Sequence, residues 1–137
     1  MHVFQPILKQ PDRAWRLVNR TRGIELAARI ETAFDSRTRR TGLLRHDALP
    51  HDTVMAIAPT NAIHTFGMRF AIDVLFVRRD GTVVKRVIAL PRRRLSAALR
   101  GFAVLEFGAD HPGVAATAVG DVLAVEELEL SKSPKLP

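Results

Sequence analysis

Residues 62–77 read AIHTFGMRFAIDVLFV, and the second half of that stretch decides the fold. From 71 to 77 the run AIDVLFV is short, rich in β-branched and aromatic residues, and almost wholly apolar. A run of this length between turn signals reads as a strand buried on both faces. Arg79-Asp80-Gly81 follows it, and Asp-Gly between two β-branched runs signals a tight hairpin, because both residues tolerate positive φ. The returning strand is 82–90, stopped by Pro91.

The same signals recur outward from this hairpin. Upstream, 54–58 is a short apolar strand ended by Pro59, and 60–70 is a connection without clear periodicity. Residues 14–19 and 24–33 read as two strands around Arg20-Thr21-Arg22-Gly23, although the alanines of the second run would also tolerate a helix. Asp35 or Ser36 can cap a short helix through SRTRRTGLL, and RHDALPHD is a polar loop. Downstream come an LSAAL turn, a strand at 102–107, a short helix opened by Pro112, and a last strand at 122–127 after Gly120-Asp121. No long amphipathic helices alternate with the strands, which argues against a doubly wound parallel sheet. The expected fold is mainly β: a small barrel or compact sandwich of about seven mostly antiparallel strands with two short helices. Residues 1–12 are expected to be a flexible arm, 13–128 a single β domain, and 129–137 a disordered tail.

Composition narrows the function classes. The 137 residues fit one domain, and 47% apolar content suffices for a core. The chain has no cysteine, which excludes disulfides, thiolate zinc sites and cysteine nucleophiles. The N-terminus lacks the apolar core of a signal peptide, and no apolar run reaches the roughly 20 residues that span a bilayer. A cytoplasmic location is the expectation. The net charge is +7, and 17 of the 21 basic residues are arginine. Clusters at Arg37, Arg39 and Arg40, at Arg78 and Arg79, and at Arg92, Arg93 and Arg94 would suit phosphates. An arginine-biased composition that produces solvated turns is the preferred explanation. With no tyrosine and only Trp15 as tryptophan, the chain has poor material for base stacking.

His64, Thr65, Met68 and Arg69 lie in one segment just before the strand that bears Asp73. An imidazole, a hydroxyl, a guanidinium and a carboxylate so close in sequence could line a polar pocket, with His64 as general base. The alternative is that they satisfy one another and the backbone of an irregular loop. Asp73 stands in a strand apolar on both faces, so it must be partly buried and must find partners. Arg69, His64 and loop N–H groups are the candidates. Glu106, in FAVLEF, poses the same problem. If the two strands are neighbours, Asp73 and Glu106 could act as an acid–base pair or hold a hard cation. His2, His46, His51 and His111 stand at no metal-ligand spacing, and no metal or cofactor is expected. The glycine-rich phosphate loop, the nucleophile elbow and HExxH are all absent from the sequence.

Five pieces stand in order along the chain: RTRRTGLL at 37–44, IHTFGMRFAIDVLFV at 63–77, DGTVVKRV at 80–87, AVLEFGAD at 103–110 and VGDVL at 119–123. With them the chain resembles the family catalogued as domain of unknown function 192, over about residues 24–125. The resemblance implies a small mainly β fold without an agreed activity, cofactor or catalytic residue. Many such proteins carry an N-terminal export signal or lipid anchor, and this chain shows neither pattern. Ala71 stands where they usually have proline, and Thr60 where close relatives often carry cysteine, which weakens a thiol-based site.

The leading reading is a non-enzymatic binding or accessory module that uses the 64–69 segment and Asp73 toward a small ligand or protein partner. The alternative is a small hydrolase or isomerase-like enzyme using His64 with Asp73 or Glu106. Weak nucleic-acid binding through the arginine loops is the third.

Overall fold

The computed structural model describes residues 2–35, 49–66 and 68–128. Within them lie ten strands and two short helices. The strands are β1 (Trp15–Asn19), β2 (Ile24–Ala27), β3 (Arg29–Ala33), β4 (Thr53–Ile57), β5 (Ala62–His64), β6 (Ile72–Val77), β7 (Val83–Leu90), β8 (Leu95–Ala97), β9 (Ala103–Gly108) and β10 (Leu123–Glu127). The helices are α1 (Gln5–Lys9) and α2 (Pro112–Ala116). They form a three-stranded sheet β10-β1-β2, a five-stranded sheet β3-β4-β9-β6-β7 and a two-stranded ribbon β5-β8. Among the described residues the sheets do not close into a barrel, and they fit a compact sandwich.

The 71–77 run forms β6, and all six of its strand residues are buried. It lies between β9 and β7, antiparallel to both. At the hairpin turn only Gly81 has positive φ, at +90°, and a Cβ there would stand 2.2 Å from the Leu123 carbonyl oxygen. Asp80 instead uses its carboxylate to accept the Thr82 N–H at 2.9 Å.

Each face of the five-stranded sheet buries its own core. On one face Leu75, Val77, Leu105, Phe107 and Val54 pack with Leu17, Leu26 and Leu123 of the three-stranded sheet. On the other, Val74, Phe76, Ile72, Val104, Met55 and Ile57 pack with Met68 and Leu90, and Ile63 of the ribbon leans on them. Burying one such side chain is worth roughly 1.5–3 kcal/mol.

Several expectations are corrected. The 24–33 run is two strands, because the Ala28 and Arg29 amides both turn to the Asp52 carbonyl, at 2.8 and 3.0 Å. The chain thereby leaves β1 and continues as β3 parallel to β4, one exception to the antiparallel pattern. The connection at 60–70 and the LSAAL turn each contain a three-residue strand, β5 and β8, which pair with one another. In the segment expected to be an arm, Pro6 lies in the first turn of α1, Phe4 is fully buried, and the Val3 amide donates to the Arg79 carbonyl at 2.7 Å. The helix expected in SRTRRTGLL, its arginines, His46 and the tail lie outside the described residues. No helix among the described residues is long and apolar enough to cross a membrane.

Candidate functional site

Asp73 stands opposite Phe107 in the β6–β9 ladder, with its side chain on the face that also carries Leu75 and Val77. The register against β7 shifts between Ile72 and Val74, so β7 bulges opposite it. Within that bulge Ala89 adopts φ +53°, and its amide, diverted from the ladder, donates to the Asp73 carboxylate at 2.8 Å. The other carboxylate oxygen accepts the His111 amide at 2.9 Å, immediately after Asp110 at φ +63°. Of the three partners expected, the backbone amides are the ones that hold Asp73. Its two oxygens pin two left-handed turns to one buried strand.

The segment before β6 lies on the other side. Met68 is buried in the second core, under the ribbon. Thr65 is fully buried: its hydroxyl donates to the Pro91 carbonyl at 2.7 Å and accepts the Arg94 amide at 2.8 Å. Its own amide donates to the Arg94 carbonyl at 2.8 Å. Thr65 thus fastens this segment to the loop after β7. His64 and Arg69 are exposed. The expected single pocket is therefore divided. Thr65 and Met68 are brought together on the second-core side, whereas Asp73 points into the first core and has no hydrogen bond to His64.

Glu106 stands opposite Val74 on β6 and Met55 on β4, so its side chain enters the second core. It is 3% exposed, and among the described residues its Oε2 has no hydrogen-bond partner. Burial among apolar groups pushes its carboxyl up to about 8, so it is a neutral acid at pH 7. Asp73 and Glu106 are on neighbouring strands, as a pair would need, but on opposite faces of the sheet. They cannot share a proton or a cation.

What the 64–69 segment does present is the outer face of the ribbon. His64 is paired with Leu95 across it, while Ile63 and Ser96 face inward. Leu95 is 74% exposed, and Phe66, 50% exposed, tilts its ring against His64 at 5.7 Å. Arg92, Arg93 and Arg94 run directly into β8 and are exposed, with no carboxylate partner among the described residues. The chemistry available is that of a mixed apolar and cationic surface, without a preorganised acid–base set.

Three residues that matter locally escaped the sequence reading. Ala89 carries no composition signal for a left-handed bulge. His111 caps α2, its Nδ1 accepting the Val114 amide at 3.2 Å while Nε2 lies 3.0 Å from the His51 carbonyl; its position just before Pro112 was the available clue. Leu95 was hidden inside an apparent turn.

Two solved structures share this fold. One is described as a "putative transcription regulator" from Sinorhizobium meliloti, 20% identical, aligned over 84% of this chain and 92% of that one with a TM-score of 0.69. The other is a protein of unknown function from Novosphingobium aromaticivorans, 19% identical over 80% of this chain and 82% of that one, with a TM-score of 0.67. At these identities the likeness speaks for the fold alone. No curated protein matches the chain. The five pieces of the sequence, the buried strand between them and the match of residues 17–125 to the DUF192 family, described as Uncharacterized ACR, agree: the chain belongs to that family.

Proposed function

We propose that the protein is a non-enzymatic binding module that takes an acidic, partly apolar segment of a protein partner on the outer face of the β5–β8 ribbon. The observation that carries this reading is the exposure of Leu95 and Phe66 around His64, beside three exposed arginines that have no carboxylate partner among the described residues. Large apolar side chains gathered at one place on a surface favour association, and the arginines set the charge of what associates. Thr65 and Met68 support the surface from beneath, and Asp73 serves the fold. The enzyme alternative loses support because both Asp73 oxygens are already taken by backbone amides, which leaves His64 without an orienting carboxylate there.

Selection from a displayed random-peptide library tests the reading. Peptides combining acidic and apolar residues are expected to enrich on the native protein and to lose binding to the Phe66→Ser/Leu95→Ser double variant. Enrichment unaffected by the double substitution, or retention on DNA alone that collapses with salt, would overturn it.

A further inference from the structure

A second surface stands on a different observation, the open edge of β10. β10 is the outer strand of the three-stranded sheet. The Arg20 amide donates to the Val122 carbonyl at 2.9 Å, and the Leu128 amide to the Ala14 carbonyl at 2.8 Å. These bonds fix the phase of the ladder. Val122, Ala124, Glu126 and Leu128 turn their backbone groups toward β1, whereas Leu123, Val125 and Glu127 turn theirs away. The Leu123 amide is answered by the Gly81 carbonyl at 2.9 Å. Among the described residues, the Val125 amide and carbonyl and the Glu127 amide have no partner.

This edge is not bare. α1 stands beside it, held by buried Phe4 and by the bond from the Val3 amide to Arg79. Between α1 and β10 runs a groove of about 630 Å³, walled by Val3, Pro6 and Lys9 on one side and by Val122, Ala124 and Val125 on the other. An edge strand with free backbone groups is a template for another strand. A groove beside it limits the guest to one strand at a time.

We infer that the β10 edge and the α1 groove bind an extended peptide by strand addition, the peptide carrying apolar side chains in alternation with acidic ones. The Val125 and Glu127 backbone groups supply the ladder, and Val3 and Val122 the apolar contacts. Lys9 supplies the charge preference, with a smaller share from Arg20, which already stands 3.7 Å from the Glu126 carboxylate. The one carboxylate lining the groove, Asp80, is already engaged by Arg78 at 3.2 Å and by the Thr82 amide. A second copy of the chain is a poorer guest. Its own β10 is flanked by α1, which would meet the facing α1, and two chains of net charge +7 repel.

The probe is a blocked eight-residue peptide of alternating valine and glutamate, titrated into the isotope-labelled full chain and followed by amide chemical shifts. Shifts centred on Val125, Glu127 and α1 are expected, with at least tenfold weaker binding of the valine–lysine counterpart. N-methylation of alternate peptide amides, in whichever phase faces β10, should abolish binding. Lys9→Glu, on the exposed side of α1, should narrow or reverse the preference without altering the fold. Absence of binding at millimolar peptide, shifts confined to other surfaces, equal binding of the N-methylated peptide, or a dimer built through this edge would each overturn the inference.

Discussion

Asp73 and Glu106 occupy adjacent antiparallel strands yet are displaced by one position: Asp73 stands opposite Phe107, and Glu106 opposite Val74. In a pleated sheet that offset sends the two side chains to opposite faces. One carboxylate therefore enters the first core and is answered by two amides, while the other enters the second core and keeps its proton. The two most unusual polar residues of the chain have separate physical roles, and each can be tested alone.

Asp73 accepts two charge-assisted hydrogen bonds in a site that water does not reach. Each such bond is worth roughly 1.5–3 kcal/mol, and a buried amide left without an acceptor adds its own penalty. Asp73→Ala is expected to destabilise the protein by about 3 kcal/mol or more in chemical denaturation. Asp73→Asn should cost nearly as much, since its NH2 would face a backbone N–H that also donates. A loss below about 1 kcal/mol for both variants would show that the two turns hold without the carboxylate.

Ala89 is in the left-handed region with a side chain that favours the right-handed one. Its amide is the group Asp73 holds, so the strain persists because the carboxylate compensates it. Ala89→Gly removes the Cβ penalty, about 1–2 kcal/mol, at some cost in unfolded-chain entropy. A net gain of up to about 1 kcal/mol is expected, read as a higher denaturation midpoint at an unchanged m-value.

How much of this was legible in the sequence follows from the same residues. β6, its hairpin and the burial of Asp73 and Glu106 were readable, because an apolar run of strand length bounded by Asp-Gly and Pro91 admits few other readings. Amides were among the partners foreseen for Asp73. The face each carboxylate enters was not readable. β6 is apolar on both faces, so hydrophobic alternation cannot orient it, and the offset from β9 is set by pairing across about thirty residues. β5 and β8 are too short to show a period and exist only because they pair with each other. α1 was missed because five residues containing a proline look like a break until Phe4 is seen in the core.

Glu106 predicts a stability that falls as the solution becomes alkaline. The unfolded chain loses this proton near 4.5, and the folded one keeps it to about 8. A raised carboxyl in the folded state leaves stability undiminished below 4.5 and erodes it as pH climbs through that interval to 8. The erosion from this one group approaches roughly 1.4 kcal/mol per pH unit at its steepest. Glu106→Gln preserves shape without the ionisation. Its melting temperature should be less sensitive to pH between 5 and 8 and should exceed that of the native protein at pH 8.5. Parallel profiles for the two proteins would place Glu106 in a wetter site than the second core.

His111 predicts the opposite slope on the acid side. Burial, with the neighbouring His51, holds its imidazole below the ordinary 6.5 against the hydrogen bonds that favour the cation. The ring caps α2 as an acceptor at Nδ1, a role that protonation ends. The folded state therefore binds fewer protons here than the unfolded chain. The stability this contributes is present above 6.5 and is lost as pH falls from 6.5 through the lower folded value. His111→Asn keeps an acceptor at the cap and cannot be charged. It forfeits the contact of Nε2 with the His51 carbonyl, so it should be about 1 kcal/mol less stable at pH 7.5. That deficit should shrink as pH falls toward 5, because only the native protein carries an imidazole here whose protonation favours the unfolded chain. Thermal melts of both proteins across pH 5 to 7.5 decide the matter, and a deficit constant over that range would mean that His111 takes up its proton at the same pH in the folded and the unfolded chain.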